Sequence, residues 1–343
     1  MSGRRLWGLV IFIGVGVLYY TIARDSLAPA TPEELRSEVL EEAEILPLPL
    51  NTEGTSLEWV AGLTWAGDTL LILPEDVFEA GRLYTLTREA LVAAVNGSAQ
   101  ALTPERMPVS VSQLPTSGLV GRALSSIEGK LYLSGHKPDP QGSRHFVFRG
   151  EIRDGALVLD ARSIEIPGAQ GLIEARTHSY NSLVAGNGGV VALFGVNGKN
   201  ANPERTAIQV SYELDAFEKL PISEIEYGVY DTTSADEAGG FWAINYFYPY
   251  LKSTFDPAPD QIVIQHGVGR THQQSTIVER IVKLQVDSAG VSVGDAKPVY
   301  LSLEDVADFR KARAWYGLAR LDDHGLLLMT RRYPRPILAY VHL

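Results

Sequence analysis

The sequence predicts an all-β fold, and within that class a β-propeller preceded by one transmembrane helix. From residue 51 onward, short apolar strands alternate with Gly, Asp and Asn turns, and few stretches have helical periodicity. A hairpin pattern recurs in WVAGLTWAGDTLLILPE, GRALSSIEGKLYLSGH, NSLVAGNGGVVALFGV, TTSADEAGGFWAINYF and YGLARLDDHGLLLMTR. Each hairpin is followed by further strand-like sequence, so one repeat fits a propeller blade of about four strands.

Five blades are visible in this pattern, with turns near Asp68, Gly129, Gly188, Gly239 and Gly325. The long segments 87–118 and 250–310 leave room for a sixth blade. Two other segments, TREALVAAVNG and SLEDVADFRKARAW, are predicted to be helical or irregular insertions. The alternative architecture is a β-sandwich with insertions, which also alternates short strands with turns.

Residues 1–24 are predicted to be a transmembrane signal anchor. Arg4 and Arg5 precede an uncharged run from Leu6 to Ala23, and a helix of that length covers about 27 Å, just enough for a bilayer core. Aromatic residues suited to the membrane interface lie at its two ends: Trp7, Tyr19 and Tyr20. Because the arginines stay in the cytoplasm, the remainder is predicted to lie in the periplasm, on the bacterial inner membrane. The alternative is a signal peptide cleaved near Ala28-Pro29-Ala30.

The composition of the chain excludes several classes of cofactor and argues against one class of partner. The predicted anchor contains no His, Asp, Glu, Lys or Arg, so we expect it to contact lipid and not to ligate a pigment or haem. The chain has no cysteine, which excludes disulfides, thiolate nucleophiles and cysteine-ligated metals. Its net charge of -11 argues against nucleic acid as a partner, because phosphates would be repelled.

Residues 25–50 are predicted to be an acidic helical connector, and residues 51–343 the propeller domain. In TPEELRSEVLEEAE, Thr31 is suited to the N-cap, Pro32 to the first helical position and Glu34 to a capping box. The helix is expected to end before Pro47. The segment is interpreted as a solvated spacer, with a docking helix as the alternative.

Several segments resemble a known group of proteins. LEWVAGLTWAGDTLLILPE, DTTSADEAGGFWAINYF and WYGLARLDDHGLLLMTRRYPRPILAYV resemble uncharacterised bacterial propellers, similar to the "esterase-like activity of phytase" group. More distantly, the chain is similar to calcium-dependent lactonase and gluconolactonase propellers. The resemblance covers roughly residues 55–343 with gaps, and its motifs are mostly structural, so it implies the fold far more than an activity.

The resemblance also implies a set of residues at the central channel. In the calcium-dependent relatives, acidic and amide side chains of the innermost strands converge there, and calcium prefers such oxygen ligands. The corresponding positions of this chain are Glu58, Asn181, Asp231 and Tyr316. The position of Tyr316 is usually a glutamate in the resembled family, and tyrosine is a poor calcium ligand. This departure favours a propeller that has lost the calcium chemistry.

Two further segments suggest a surface that binds other proteins. RRYPRP places Arg331, Arg332 and Arg335 in one basic cluster, which suits a partner's carboxylates or anionic lipid headgroups. The alternative is a solvated loop with local salt bridges. The aromatic segment FWAINYFYPY ends in a loop with Tyr248 and Tyr250, and exposed tyrosines suit a protein interface.

Two functions from different classes are the main alternatives, with a ligand-binding or cell-envelope assembly role as a third, and the sequence favours the first. The first is a non-enzymatic, membrane-anchored accessory or scaffold subunit of a larger membrane complex, with photosynthetic and respiratory assemblies as candidate hosts and without a cofactor. The second is a membrane-tethered hydrolase of small esters, lactones or phosphoesters, with calcium held by Glu58, Asn181 and Asp231.

Overall fold

The strands of the computed structural model form five blades around a central axis. The structure describes residues 38–53, 55, 57–111, 114, 116–139, 143–168, 179–186, 188–306, 309–311, 313–323, 325–332 and 335–343. The described part of the chain is all-β, with a few short helices.

Each blade is a sheet whose strands follow one another from the axis outward. Blade 1 contains Val60–Ala66, Thr69–Pro74, Arg82–Thr87 and Glu105–Ser110. Blade 2 contains Val120–Ile127, Lys130–Lys137, Arg144–Arg153 and Ala156–Ile166. Blade 3 contains Tyr180–Gly186, Gly189–Phe194, Thr206–Ser211 and Phe217–Pro221. Blade 4 contains Ile225–Thr232, Gly240–Phe247 and Val278–Asp287, with Gly290–Val293 and Val299–Leu301 at its outer edge. Blade 5 contains Trp315–Arg320, Gly325–Thr330, Leu338–His342 and Ile45–Pro47.

The remaining elements decorate the blades. Short strands pair Val39–Leu40 with Val268–Gly269, Glu42–Ala43 with the edge of blade 4, Val196–Asn197 with the innermost strand of blade 4, and Glu304–Val306 with Phe309–Lys311. The helices are Val77–Ala80, Arg88–Val95, the 3-10 turn Pro249–Leu251, Lys252–Phe255 and Gln261–His266.

The innermost strands close into a ring. Each contacts the innermost strand of the next blade, in the order 1, 2, 3, 4, 5 and back to 1. Five separate apolar cores lie between neighbouring blades. Each core forms because the apolar side chains on the face of one blade pack against those on the facing side of the next blade. Blades 1 and 2 are also joined at their outer edges by a short parallel pairing of Val109 with Leu157, so their strands form one continuous eight-stranded sheet.

The predicted hairpins are confirmed as the two inner strands of each blade. The segments that left room for a sixth blade contain instead the helix Arg88–Val95, the outer strand of blade 1 and the outer half of blade 4. The N-cap of that helix is Thr87, whose hydroxyl accepts a hydrogen bond from the backbone N–H of Ala90 at 3.3 Å. The segment that begins at Ser302 forms a short antiparallel hairpin, not a helix.

The acidic connector differs from its prediction over residues 38–47, where the chain is extended. It pairs in turn with the loop strand Val268–Gly269, with blade 4 and with blade 5. Ile45–Pro47 supplies the outermost strand of blade 5 and so closes the ring, since the C-terminal end of the chain provides only three strands for that blade. Over residues 38–47, pairing with open sheet edges has replaced the predicted helix. The predicted start of that helix, with Thr31, Pro32 and Glu34, lies outside the described residues.

The predicted anchor, with Leu6, Trp7, Tyr19 and Tyr20, lies outside the described residues. Within the part that the structure does describe, no helix is both long and apolar enough to cross a bilayer.

Candidate functional site

Each innermost strand contains a β-bulge, and the five bulges lie at the same height around the central axis. The pairing with the second strand shifts register in all five blades. The residues within these shifts include Ala61, Arg122, Asn181, Tyr230 and Tyr316, in blades 1 to 5. A bulge turns its extra residue out of the ladder, and these five side chains, with Glu75, line a cavity on the axis.

The cavity is small. The space open to the centre of a water molecule is about 10 Å³, which is close to the least that one water needs. It lies near the face at which the innermost strands begin, called the upper face below.

Backbone hydrogen bonds at the upper face position the side chains that surround the cavity. Glu75 and Arg331 each follow the second strand of their blade, and each donates its N–H to the residue just before its own innermost strand: Trp59 at 2.9 Å and Ala314 at 3.0 Å. The carbonyls of Glu75 and Arg331 then accept from the next blade, from Gly121 at 2.8 Å and from Trp59 at 3.0 Å. Because Glu75 and Arg331 occupy equivalent places in neighbouring blades, their side chains meet.

The centre of the site is one carboxylate between two guanidinium groups. The Oε1 atom of Glu75 accepts from Nη1 of Arg122 at 2.8 Å and from Nη2 of Arg331 at 2.6 Å. Burial lowers the pKa of Arg122, and the positive charge of Arg331 lowers it further against the opposing effect of Glu75. For Arg331 burial also favours a lower pKa, but Tyr316 and Glu75 outweigh it and raise the pKa. A guanidinium group is not deprotonated in proteins, so both arginines carry a positive charge, with one carboxylate between them.

Aromatic rings surround these charges. The guanidinium groups of Arg331 and Arg332 lie 4.6 and 4.8 Å from the ring centroid of Trp59, within the range of cation–π attraction. The ring of Tyr316 packs against that of Tyr230 in a tilted arrangement, at 4.4 Å between ring centroids, and its centroid lies 5.1 Å from the guanidinium of Arg331. Burial raises the pKa of Tyr230 well above its usual value, so its phenol stays neutral.

Trp59 has a strained backbone. Its φ of 68° lies in the left-handed region, which a bulky side chain rarely adopts. The hydrogen bonds of its N–H to Arg331 and of its carbonyl to Glu75 hold it there. Strain of this kind persists where the surroundings fix it, and it is concentrated at functional sites. In this conformation the indole of Trp59, which is 38% exposed, faces the two arginines at the upper face.

Asp231 closes the axis beside the cavity. Its side chain is buried, and Oδ2 accepts from the backbone N–H of Leu63 at 2.7 Å and of Leu318 at 2.8 Å. It thereby ties the innermost strands of blades 1, 4 and 5 together. Burial raises the pKa of Asp231 well above its usual value, despite these hydrogen bonds. A side chain at Gly62 would place its Cβ 3.4 Å from the Asp231 carboxylate, in close contact with it.

The structure separates the residues implied for calcium. Asn181 and Tyr316 line the axial cavity, and Glu58 is exposed and does not. The oxygen of Asp231 is engaged by two backbone N–H groups. Within the described ranges no group of three or more His, Cys, Asp or Glu side chains is placed to hold a metal ion. The one carboxylate at the cavity is neutralised by two arginines, so the donors present do not fit calcium, which needs several free oxygen ligands.

Four of the residues predicted for an interface come together at or near this face. Arg331 and Arg332 both pack on the ring of Trp59, and the rings of Tyr248 and Tyr250 contact each other in a tilted arrangement, at 4.9 Å between centroids. The charge of Arg331 and the phenol of Tyr316 both influence the pKa of the Tyr250 phenol, so Tyr250 lies within electrostatic reach of these two residues. Arg335 is exposed.

Sequence reasoning missed Trp59, Glu75, Arg122 and Tyr230. A signal for part of the set exists, because in four blades the cavity residue precedes a small residue and then leucine: Ala61-Gly62-Leu63, Arg122-Ala123-Leu124, Asn181-Ser182-Leu183 and Tyr316-Gly317-Leu318. In blade 4, Asp231 stands in the place of the small residue, after Tyr230. Aligning the five hairpins at this pattern would have placed the bulges.

Known proteins resemble this chain in fold and not in sequence. No protein-family model matches it, and no curated protein matches it either. Among solved structures, it is similar to the PQQ-bound form of an aldose sugar dehydrogenase from Streptomyces coelicolor, with a TM-score of 0.48 and 12% identity over 89% of this chain and 99% of that one. It is similar to an arabinanase from Bacillus subtilis, with a TM-score of 0.44 and 12% identity over 82% of this chain and 94% of that one.

A gluconolactonase from Xanthomonas campestris is a further similar structure, with a TM-score of 0.39 and 11% identity over 92% of this chain and 98% of that one. At such identities the likeness concerns the fold and does not single out the esterase-like group that the sequence resembles. The chain has a propeller-like all-β fold, and the ring of blades carries that conclusion.

Proposed function

We propose that this chain is a non-enzymatic binding propeller, tethered to the bacterial inner membrane by residues 1–24, that docks another subunit of a membrane complex through its upper face. Photosynthetic and respiratory assemblies are the candidate hosts. The observation that carries the proposal is a cluster at the upper face, in which Arg331 and Arg332 pack on Trp59 and the exposed Tyr250 lies within electrostatic reach of Arg331. The axial cavity beside this cluster has room for about one water molecule.

The composition of this surface supports a protein partner. Tryptophan, tyrosine and arginine are the residue types that contribute most to the stability of protein interfaces. Tyr250 is 71% exposed, which is unusual for so large an aromatic side chain in a protein of this size. The cations stand out against the net charge of -11 of the chain, so the partner is expected to present an acidic surface here.

The narrowness of the cavity supports binding more than catalysis. Pockets for small substrates enclose several hundred cubic ångströms. The buried groups around this axis are paired with one another: Glu75 with two arginines, and Asp231 with two backbone N–H groups. Neither carboxylate is free to act as a base toward a substrate.

The test begins with native membranes. After mild-detergent extraction and native gel separation, we expect the full-length chain to co-migrate in fixed proportion with one large complex, identified by mass spectrometry. Replacement of Tyr250 and Arg332 together, as Tyr250→Ala and Arg332→Ala, should reduce the co-migrating fraction at least tenfold, because two interface contacts are each worth about 1 kcal/mol or more. The variant should remain in the membrane fraction.

The matched control is Phe217→Ser. Phe217 is an aromatic side chain of 45% exposure in the outer strand of blade 3, at the end of the blade away from the upper face. Co-migration should not change in this variant. Migration of the wild-type chain alone, near its monomer mass, would overturn the proposal. Equal co-migration of the Tyr250/Arg332 variant and the wild type would overturn docking through the upper face.

A further inference from the structure

We infer that the mouth of the axial cavity is a binding site for a carboxylate group, held by Arg122 and Arg331 beside Glu75, with Arg332 and Trp59 at the rim. The carboxylate belongs either to a free small carboxylic acid or to an acidic residue of the docked partner. The second source rests on the proposed function, and the first does not.

The hydrogen-bond donors of the two arginines exceed the acceptors around them. Arg122 has partners in Glu75 and in Nδ1 of His136, the latter at 3.4 Å, and Arg331 has partners in Glu75 and Tyr316. The Nε atoms of both arginines are buried, and among the described residues neither has a hydrogen-bond acceptor. A guanidinium group carries five donors, and buried donors without acceptors are costly. An additional acceptor would therefore be stabilised here.

The local charge points to an anion. Arg122, Arg331 and Arg332 face a single carboxylate, that of Glu75, so the group carries an excess of positive charge. The side chains of Arg122 and Arg331 are only 16% and 27% exposed, so solvent screens this excess less than it would on an open surface. Burial raises the pKa of the Tyr230 phenol well above its usual value, so this group adds no negative charge.

The shape of the cavity selects the kind of anion. Guanidinium groups bind the planar, two-oxygen carboxylate bidentately. The space inside is close to that of one water, so the carboxylate would lie at the mouth, against the guanidinium groups, and not inside the cavity. A tetrahedral phosphate or a sugar ring is bulkier than a carboxylate and has less room at this partly buried mouth.

The test uses the full-length chain in detergent micelles, with binding measured by titration calorimetry. The probes are sodium acetate, an N-acetylated hexapeptide with a C-terminal glutamate, the same peptide with glutamine and a C-terminal amide, and inorganic phosphate. We expect saturable binding of at least one carboxylate probe, and binding of the amidated glutamine peptide at least tenfold weaker. Phosphate should bind more weakly than the carboxylate probe.

Two variants separate a binding site from a structural ion pair. Arg122→Gln should weaken carboxylate binding at least tenfold. Glu75→Gln should strengthen it at least threefold, because it removes the internal anion that competes for the same guanidinium groups. A merely structural cluster would show no such gain. Phe217→Ser is the control and should bind as the wild type does.

The two sources give different results. If acetate binds nearly as well as the glutamate peptide, the site takes a free small carboxylate, and this holds even if no host complex is found. If only the peptide binds, the site takes a partner's carboxylate. Failure of every carboxylate probe to bind both the wild type and the Glu75→Gln variant would overturn the inference, as would equal affinity for the amidated glutamine peptide.

Discussion

Replacement of Asp231 by alanine is expected to lower the free energy of unfolding by about 3–5 kcal/mol. The change leaves the backbone N–H groups of Leu63 and Leu318 without their acceptor, and each buried unsatisfied donor costs about 1–3 kcal/mol. It also opens a void where three innermost strands meet. Urea denaturation followed by far-UV circular dichroism measures the effect.

Two controls make this result specific. Asp231→Asn keeps one carbonyl oxygen as an acceptor and should cost about 1 kcal/mol or a little more. Asp295→Ala removes an exposed carboxylate of blade 4 and should stay within about 0.5 kcal/mol of the wild type. If Asp231→Ala were no less stable than Asp231→Asn, the carboxylate would not be the tie between blades that the geometry indicates.

Stability is expected to fall as pH rises from 5 to 8, because of Glu279 in blade 4. Its side chain is buried, and Oε1 accepts from the backbone N–H of Arg313 at 2.5 Å and of Ala314 at 3.2 Å. Burial raises the pKa of Glu279 from 4.5 to about 7, against the opposing effect of Arg313.

The sign follows from the proton affinities of the two states. The folded protein binds the proton of Glu279 more tightly than the unfolded chain, so this stabilisation is fully present below pH 4.5 and is lost as pH rises toward about 7. The loss between pH 5 and pH 8 amounts to about 3 kcal/mol, at about 1.4 kcal/mol for each pH unit within the window.

Glu279→Gln isolates this contribution, because glutamine keeps the carbonyl acceptor and cannot ionise. The free energy of unfolding is measured by urea titration at pH 5, 6, 7 and 8. Its decline over this range should be smaller in the variant than in the wild type, by a difference of about 3 kcal/mol. Glu237→Gln, at an exposed position of the blade 4 hairpin, should follow the wild-type curve. Parallel curves for the wild type and Glu279→Gln would show that Glu279 titrates normally in the folded protein.

Much of the fold could be predicted from the sequence because it depends on local patterns. Short apolar runs and the turn glycines between them define the inner hairpins, for example at Gly129 and Gly239, where φ is positive. The helix after Thr87 was predictable for the same reason, since its cap and periodicity lie within one short segment.

The site could be predicted only in part. The resemblance placed Asn181 and Tyr316 at the channel, and the loop composition pointed to Tyr250 and Arg332. Glu75 and Arg331 are 256 positions apart, and nothing local indicates that they share a hydrogen bond. Glu58 and Asp231 carry the oxygen atoms that calcium prefers. In the folded ring, however, Glu58 is exposed and Asp231 is buried against two backbone N–H groups. Both properties depend on how the blades pack, so the sequence did not reveal them.

The sequence by itself thus determined the inner hairpins, their turns and the class of fold, because these follow from neighbouring residues and their periodicity. The tertiary structure alone decided that the acidic segment from Val39 to Pro47 is extended, since open edges of blades 4 and 5 offer it backbone partners. It also decided which side chains meet on the axis. Ring closure brings together bulges from five blades, and a one-residue change of register would turn any of them away from the cavity.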